Sequence, residues 1–339
     1  MSEKTIKFGL VGAGGIAQAY VQAFGQSEVA ELAAIADVRA EAASAMAETA
    51  GCRSFRSHQE MIANTELDAV VVCTPPSTHP DICIDLVQQG KHVLCEKPFS
   101  ITIQSALDMK AAAQEMGVLL TMASKFRYAE DVIRAKSIVE SGILGEIVLF
   151  ENAFTSRVDM SDRWNADPAI SGGGVLIDNG THSVDIMRYF LGPLSEIHVV
   201  EGKRTQHLAV EDTVRIFAQS KTGVMGNVDL SWSINKELDY YLRIYGSEGT
   251  ISVGWKESKY RQSSSQGWVV FGRGYNKVQS FRSQIENFSK AILKQEPLLI
   301  AVEDAIASVE AIEAAYRSLD RDHWTPISSF MAESAMAFA

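Results

Sequence analysis

Ile6-Lys7-Phe8-Gly9-Leu10-Val11-Gly12-Ala13-Gly14-Gly15-Ile16-Ala17 is the stretch around which the chain is arranged. Its first six residues are a short, mostly apolar run of the kind a buried parallel strand needs. The run stops at Gly12, and Ile16, Ala19, Tyr20 and Ala23 then recur at helix-face spacing. The segment reads G-x-G-x-x-A between a strand and a helix. Gly12 permits a tight turn, Gly14 lets backbone approach a pyrophosphate, and small Ala17 lets the helix pack close to the strand. Gly15 and Ile16 complete the candidate cradle, because a helix N-terminus offers unpaired N–H groups to phosphates. A second apolar run, Glu31–Ala36, ends in Asp37, twenty residues beyond Ala17. An acid at that place accepts hydrogen bonds from an adenosine ribose.

The chain has 339 residues, more than the ~250–300 at which single cores stop growing, so two domains are expected. A net charge of −11 with no Lys/Arg stripe argues against nucleic acid as a partner, since the phosphate backbone rewards clustered cations. No apolar run approaches the ~18–20 residues of a membrane span, and no secretory leader pattern is visible. A cytoplasmic protein with no membrane contact is the expectation. Cys52, Cys73, Cys83 and Cys95 lie at no metal-ligand spacing, so buried free thiols and no metal site are expected.

Strand and helix patterns alternate up to about residue 124. Arg39–Ala50 is helical and stopped by Gly51, and Ser57-His58-Gln59-Glu60 is a capping-box signature. Asp68–Cys73, His92–Cys95 and Val118–Met122 read as the fourth, fifth and sixth strands, with helices at 78–89 and 101–116 between them. Six strands alternating with helices imply a doubly wound parallel sheet over residues 1–124. Beyond it, strands between Ile197 and Trp255 follow one another with short turns, the mark of an antiparallel sheet. Helices are expected at 130–141, from Gly174 to about 191, at 279–294 and at 302–319. A second α+β domain over 125–330 and a tail at 331–339 without pattern complete the division.

Ligands of an open parallel sheet lie beyond the carboxyl ends of its strands. The fourth and fifth strands end at Thr74-Pro75-Pro76 and Glu96-Lys97-Pro98, and both segments are candidates for the nicotinamide end of a dinucleotide. A lysine there donates to a hydroxyl or carbonyl oxygen and favours negative charge on it; the plainer alternative is a surface lysine paired with an acid. His79 reads as a ligand contact or a cap. In Asp178-Asn179-Gly180-Thr181-His182-Ser183-Val184-Asp185, Asp178 and His182 stand one helical turn apart with Asp185 roughly in line. A carboxylate beside an imidazole suits a proton acceptor, although a structural His–Asp pair has the same spacing. Gly172-Gly173-Gly174 just upstream would let backbone come close to something. Arg127, Trp164 and Asn179 are candidate substrate contacts.

Together these residues resemble the glucose–fructose oxidoreductase / inositol dehydrogenase family (Gfo/Idh/MocA) across nearly the whole chain. The carriers are Gly12-x-Gly14-x-x-Ala17, Asp37, Cys73-Thr74-Pro75-Pro76 with His79, Glu96-Lys97-Pro98, and the glycine triplet followed by Asp178, His182 and Asp185. The resemblance implies a Rossmann domain followed by an α+β domain whose open, mainly antiparallel sheet mediates homodimers or homotetramers. It implies NAD(P)-dependent oxidation or reduction of a sugar, cyclitol, sugar nucleotide or related polyol. It implies that Lys97 hydrogen-bonds the reacting oxygen, His182 accepts its proton, and Asp178 orients both substrate and His182. Arg127 falls where such proteins place a substrate-contacting basic residue.

NAD is the expected cofactor, with NADP possible. The Asp37 carboxylate would repel a 2′-phosphate, whereas Arg39 could hold one. Gly12, Gly14, Gly15, Ile16, Asp37, Arg39, Thr74, Pro75, His79, Glu96 and Lys97 are the expected cofactor-binding set. Two rival readings are an NAD-dependent glycoside hydrolase on the same scaffold and a non-catalytic dinucleotide-sensing regulator. The complete set of Lys97, Asp178 and His182 argues against the second, since a sensor needs none of them.

Overall fold

A computed structural model of the chain describes residues 4–327, so the expected tail at 331–339 lies outside the described residues. The described chain divides into two compact units. One holds the chain up to Ala129 together with Asn276–Ile306; the other holds Glu130–Tyr275 and the chain from Ala307 on.

In the first unit, six parallel strands alternate with helices. They are β1 (Ile6–Val11), β2 (Ala30–Ala36), β3 (Arg53–Phe55), β4 (Ala69–Val72), β5 (His92–Glu96) and β6 (Leu120–Ala123). The connecting helices are α1 (Ala17–Phe24), α2 (Ala40–Ala50), α3 (His58–Asn64), α4 (His79–Gln88) and α5 (Ile103–Met116). The sheet order is β3-β2-β1-β4-β5-β6, so strand order reverses between β1 and β4 and opens a crevice at their carboxyl ends. Helix ends follow local chemistry. Gly51 and Gly117 take left-handed conformations after α2 and α5. The Ser57 side chain caps α3 by accepting from the Glu60 N–H. The reciprocal bond of the capping box is displaced by one residue, because Glu60 accepts from Arg56 rather than Ser57.

The second unit is built on nine strands in the order β14-β13-β12-β11-β7-β10-β9-β8-β15. These are β7 (Ile147–Thr155), β8 (Leu194–Glu201), β9 (Thr213–Ser220), β10 (Met225–Ser231), β11 (Tyr240–Gly246), β12 (Gly249–Gly254), β13 (Ser258–Gln262), β14 (Val269–Gly272) and β15 (Thr325–Pro326). Only β10 against β7 is parallel. Helix α6 (Glu130–Glu140) packs on β12 and β14; the single turn α7 (Pro168–Ser171) leads into α8 (Val175–Leu191), which crosses β7, β9 and β10. Val214, Ile216, Val228 and Leu230 alternate inward and are buried, whereas Leu149, Phe217, Met225 and Tyr245 take the opposite parity and stay partly exposed. Period-two alternation of this kind belongs to a sheet with one covered face.

Helices α9 (Lys277–Ile292) and α10 (Val302–Arg321) close the chain. The sequence reading gives residues 276–306 to the second domain, but they pack with the first unit. The reason lies in α9: Phe281, Ile285 and Phe288 line one face and join the core formed by β1 and α1. Phe8 sits between Phe24, 5.1 Å away, and Phe288, 6.2 Å away. Helical spacing predicts that such a face is buried; it carries no information about which sheet buries it. Phe288→Ala should lower stability by about 3–5 kcal/mol, read as a lowered midpoint in equilibrium urea unfolding.

Candidate functional site

Gly12 has φ +99°, and a Cβ there would lie 2.8 Å from the Cys73 carbonyl carbon and oxygen. The glycine thus serves both the turn and the close approach of the loop to the end of β4, where the Cys73 N–H donates to the Val11 carbonyl. Gly14 and Gly15 differ. A Cβ at either would meet no protein atom within 4 Å, so packing within the protein does not account for them. No side chain caps α1, no acid stands in its first turn, and Ile16 takes the N-cap place. A bare helix N-terminus behind open glycines suits the diphosphate of a dinucleotide.

Asp37 follows β2 and is 9% exposed. Its Oδ2 accepts from the Ala13 N–H at 2.7 Å and its Oδ1 from the Arg39 N–H at 2.8 Å. The Arg39 guanidinium lies across both oxygens, Nε at 3.1 Å and Nη2 at 3.2 Å. Burial alone would raise the Asp37 carboxyl; the bonds from Arg39 and Ala13 and the Arg39 charge outweigh it and hold the acid below its ordinary value. The two residues that pull the cofactor preference in opposite directions are therefore paired with one another.

Beyond β4 and β5, Thr74-Pro75-Pro76 and Glu96-Lys97-Pro98 are joined by His79. Its Nε2 lies 2.8 Å from the Thr74 carbonyl and its Nδ1 2.9 Å from the Pro98 carbonyl, and the ring is wholly buried. Burial lowers the imidazole's pKa, opposed by the carbonyls of Thr74, Pro98 and Phe99, and it stays below the ordinary value. The expectation of a direct cofactor contact at His79 is corrected here: the side chain holds two strand-end segments together and shows no surface. Glu96 is likewise turned inward, 7% exposed, accepting from the Tyr20 hydroxyl at 2.9 Å and the Lys97 N–H at 3.2 Å. Lys97 itself is half-buried at the strand end. Arg127, on the turn Lys125–Tyr128 after β6, is 3% exposed and pairs with Asp304 of α10 at 3.3 Å. Its surroundings suit fixing that turn better than touching a substrate.

In the second unit, α8 carries Asp178, Asn179 and His182 on its first two turns. Asp178 and Asn179 are half-buried and His182 is buried, its ring edge-on to Phe154 at 6.3 Å. Trp164 lies on the short turn Trp164–Ala166, 43% exposed. The glycine triplet does bring backbone close to something, but to the protein itself. A Cβ at Gly173 would collide with the Tyr316 hydroxyl, and one at Gly174 with the Glu211 carbonyl. Glu211 then holds the start of α8: its Oε1 accepts from the N–H groups of Gly174 at 2.9 Å and Leu176 at 3.0 Å and from the Tyr316 hydroxyl at 2.8 Å. Burial pushes the Glu211 carboxyl up, and these donors only partly offset it. Glu211 and Tyr316 escaped the sequence reading because neither lies in a motif. Among the described residues, no cluster of three or more His, Cys, Asp or Glu is placed to hold a metal ion.

Residues 6–124 match the family described as "Oxidoreductase family, NAD-binding Rossmann fold", and residues 132–252 match the GFO/IDH/MocA C-terminal domain. The rhizopine catabolism protein MocA of Rhizobium meliloti is 28% identical over 320 residues, covering 93% of this chain and 96% of its own. Inositol 2-dehydrogenase of Rhizobium meliloti (strain 1021) is 26% identical over 331 residues, covering 93% and 97%. Among solved structures, GenD2 from gentamicin A biosynthesis, in complex with NAD, superposes with a TM-score of 0.84 at 25% identity, covering 97% of this chain and 98% of its own.

Glu211→Ala removes the shared acceptor of two N–H groups and a hydroxyl. It should cost about 1–3 kcal/mol for each donor left buried without a partner. Thermal unfolding reads the loss, and faster amide exchange at Gly174 and Leu176 locates it at the start of α8.

Proposed function

The chain belongs to the Gfo/Idh/MocA family of NAD(P)-dependent oxidoreductases, and from that premise we propose that it oxidises or reduces a carbon of a sugar, cyclitol, sugar nucleotide or related polyol. One observation carries the reading. The chain that matches both family domains has its open glycine loop and Lys97 at strand ends of one unit, and Asp178 and His182 on a capped helix of the other.

When bound, NAD supplies the hydride acceptor. The loop Gly12–Ile16 and the start of α1 would hold its diphosphate, and Asp37 its adenosine ribose. Lys97 donates a hydrogen bond to the reacting oxygen and favours the negative charge that develops there. His182 accepts the hydroxyl proton, and Asp178 orients the substrate and the imidazole. Asn179 and Trp164 contribute substrate contacts; Thr74 and Pro75 shape the cofactor side. We also propose a cytoplasmic homo-oligomer, supported by four free thiols and by the partly exposed Leu149, Phe217, Met225 and Tyr245 on one sheet face.

Offered NAD with myo-inositol, D-glucose or D-xylose, the protein should form NADH with at least one of them; no NADH with any polyol, or glycoside cleavage without net NADH, sinks the reading. Lys97→Ala and His182→Ala should each lower kcat by about 100- to 10,000-fold, with NAD affinity by calorimetry little changed. Near-normal kcat in both would show that scaffold had been mistaken for site. NAD should bind more tightly than NADP, and Arg39→Ala should widen the gap by removing the guanidinium that lies on both Asp37 oxygens. Tighter NADP binding would overturn the argument from Asp37.

A further inference from the structure

Glu96 ends β5 with both carboxylate oxygens engaged. Tyr20, on the first turns of α1, donates its hydroxyl to Oε1 at 2.9 Å, and the Lys97 N–H reaches Oε2 at 3.2 Å. Behind Tyr20 stands Gln284 of α9, whose Nε2 donates to the phenol oxygen at 3.0 Å. A hydroxyl has one proton, so a Tyr20 that donates to Glu96 must accept from Gln284, which fixes the amide's orientation. The Tyr20 ring is wholly buried and packs edge-on against Phe281 at 4.6 Å. A phenylalanine would fill the same volume. A hydroxyl placed there costs free energy unless it is bonded, so its presence is explained by Glu96.

We infer that Tyr20, backed by Gln284, is a positioning residue for Lys97, tying the helix behind the glycine loop to the backbone of the lysine through Glu96. This rests on the proposed role of Lys97. The path Gln284–Tyr20–Glu96–Lys97 lies within one unit, and α1 follows the loop after Ile16 without a break. A displacement of the loop therefore acts on the Glu96 carboxylate and, one residue on, on Lys97. The charged and titratable groups facing Glu96 are Tyr20 from α1, Lys97, Lys125 from the turn after β6, and the thiols of Cys73 and Cys95. Burial pushes the Glu96 carboxyl up, and Lys97, Lys125 and the Tyr20 bond pull it back. Without the phenol hydroxyl, Glu96 takes up its proton at higher pH.

Tyr20→Phe removes that hydroxyl alone. In the protein without dinucleotide, amide exchange at Lys97 should quicken at least about tenfold, the size expected for loosening a hydrogen bond to a charged group, while Val93 and Leu94 stay protected. NAD affinity by calorimetry should stay close to wild type, and the melting temperature should fall only by the few degrees expected when Glu96 and the Gln284 amide lose one buried partner. With whichever polyol yields NADH, kcat should fall about 10- to 100-fold with KM little changed, and the acid limb of kcat should move to higher pH. Wild-type exchange at Lys97 together with an unmoved acid limb in folded Tyr20→Phe overturns the inference. If Tyr20→Phe does not fold, Gln284→Leu, which keeps the Tyr20–Glu96 bond but removes the donor that backs it, should move exchange at Lys97 and the acid limb in the same directions by a smaller amount, and wild-type values for both there overturn the inference. Normal kcat in Lys97→Ala would instead sink the role of Lys97, leaving the exchange result to stand or fall by itself.

Discussion

No side chain fits at residue 12. The backbone there turns at φ +99° against the Cys73 carbonyl, and much of the first unit follows from that contact. It lets β1 end level with β4, where the strand order reverses, and the chain passes from the carboxyl end of β1 through the loop into α1. It also brings the Ala13 N–H onto the Asp37 carboxylate at 2.7 Å. The loop and the acid that would hold the two ends of an adenosine diphosphate are thus one hydrogen-bonded assembly. A Cβ at this position would strain the turn and push the loop off the end of β4.

The sequence was most readable where a residue's reason is local. Gly12, Gly51 and Gly117 announce themselves because only glycine takes the conformations they adopt at low cost. Five strands of the first unit, β1, β2, β4, β5 and β6, are legible because a parallel sheet buried on both faces needs continuous apolar runs; β3, Arg53-Ser54-Phe55 with its first two residues exposed, has no such run. Periodicity was a poorer guide to partners. The helical face of Phe281, Ile285 and Phe288 could be read, yet its return to β1 and α1 depends on a fold that no local pattern encodes. Arg127 and His79 illustrate the same limit. Each has the chemistry of a ligand contact, and each is buried among its own chain's acceptors.

The glycine triplet shows how residue size can announce a close approach without naming what approaches. Small residues at 173 and 174 do mean close approach, and the approach is real. What comes close is the Tyr316 hydroxyl and the Glu211 backbone, about 140 and 40 residues away by chain position, distances over which sequence spacing says nothing. At Gly14 and Gly15 the same residue type faces no protein atom within 4 Å. Identical letters thus serve internal packing in one unit and a bare surface in the other, and only coordinates separate the two uses.

Both units meet the cost of a buried carboxylate in the same manner. Glu96 and Glu211 are shut away from water, which raises each carboxyl above its ordinary value. Each accepts a tyrosine hydroxyl, Tyr20 at 2.9 Å and Tyr316 at 2.8 Å, together with one or more backbone N–H groups. Such a carboxylate is costly unless every donor is in place, so it tolerates few alternative arrangements of its neighbours. One sits beside Lys97, and the other fixes the first turn of the helix bearing Asp178 and His182. On the proposed reading, the side chains that would hold a reacting atom to within a fraction of an ångström stand next to a buried, multiply bonded carboxylate in each unit. Neither glutamate has to touch a substrate for this to matter; their effect is on where the residues beside them can be.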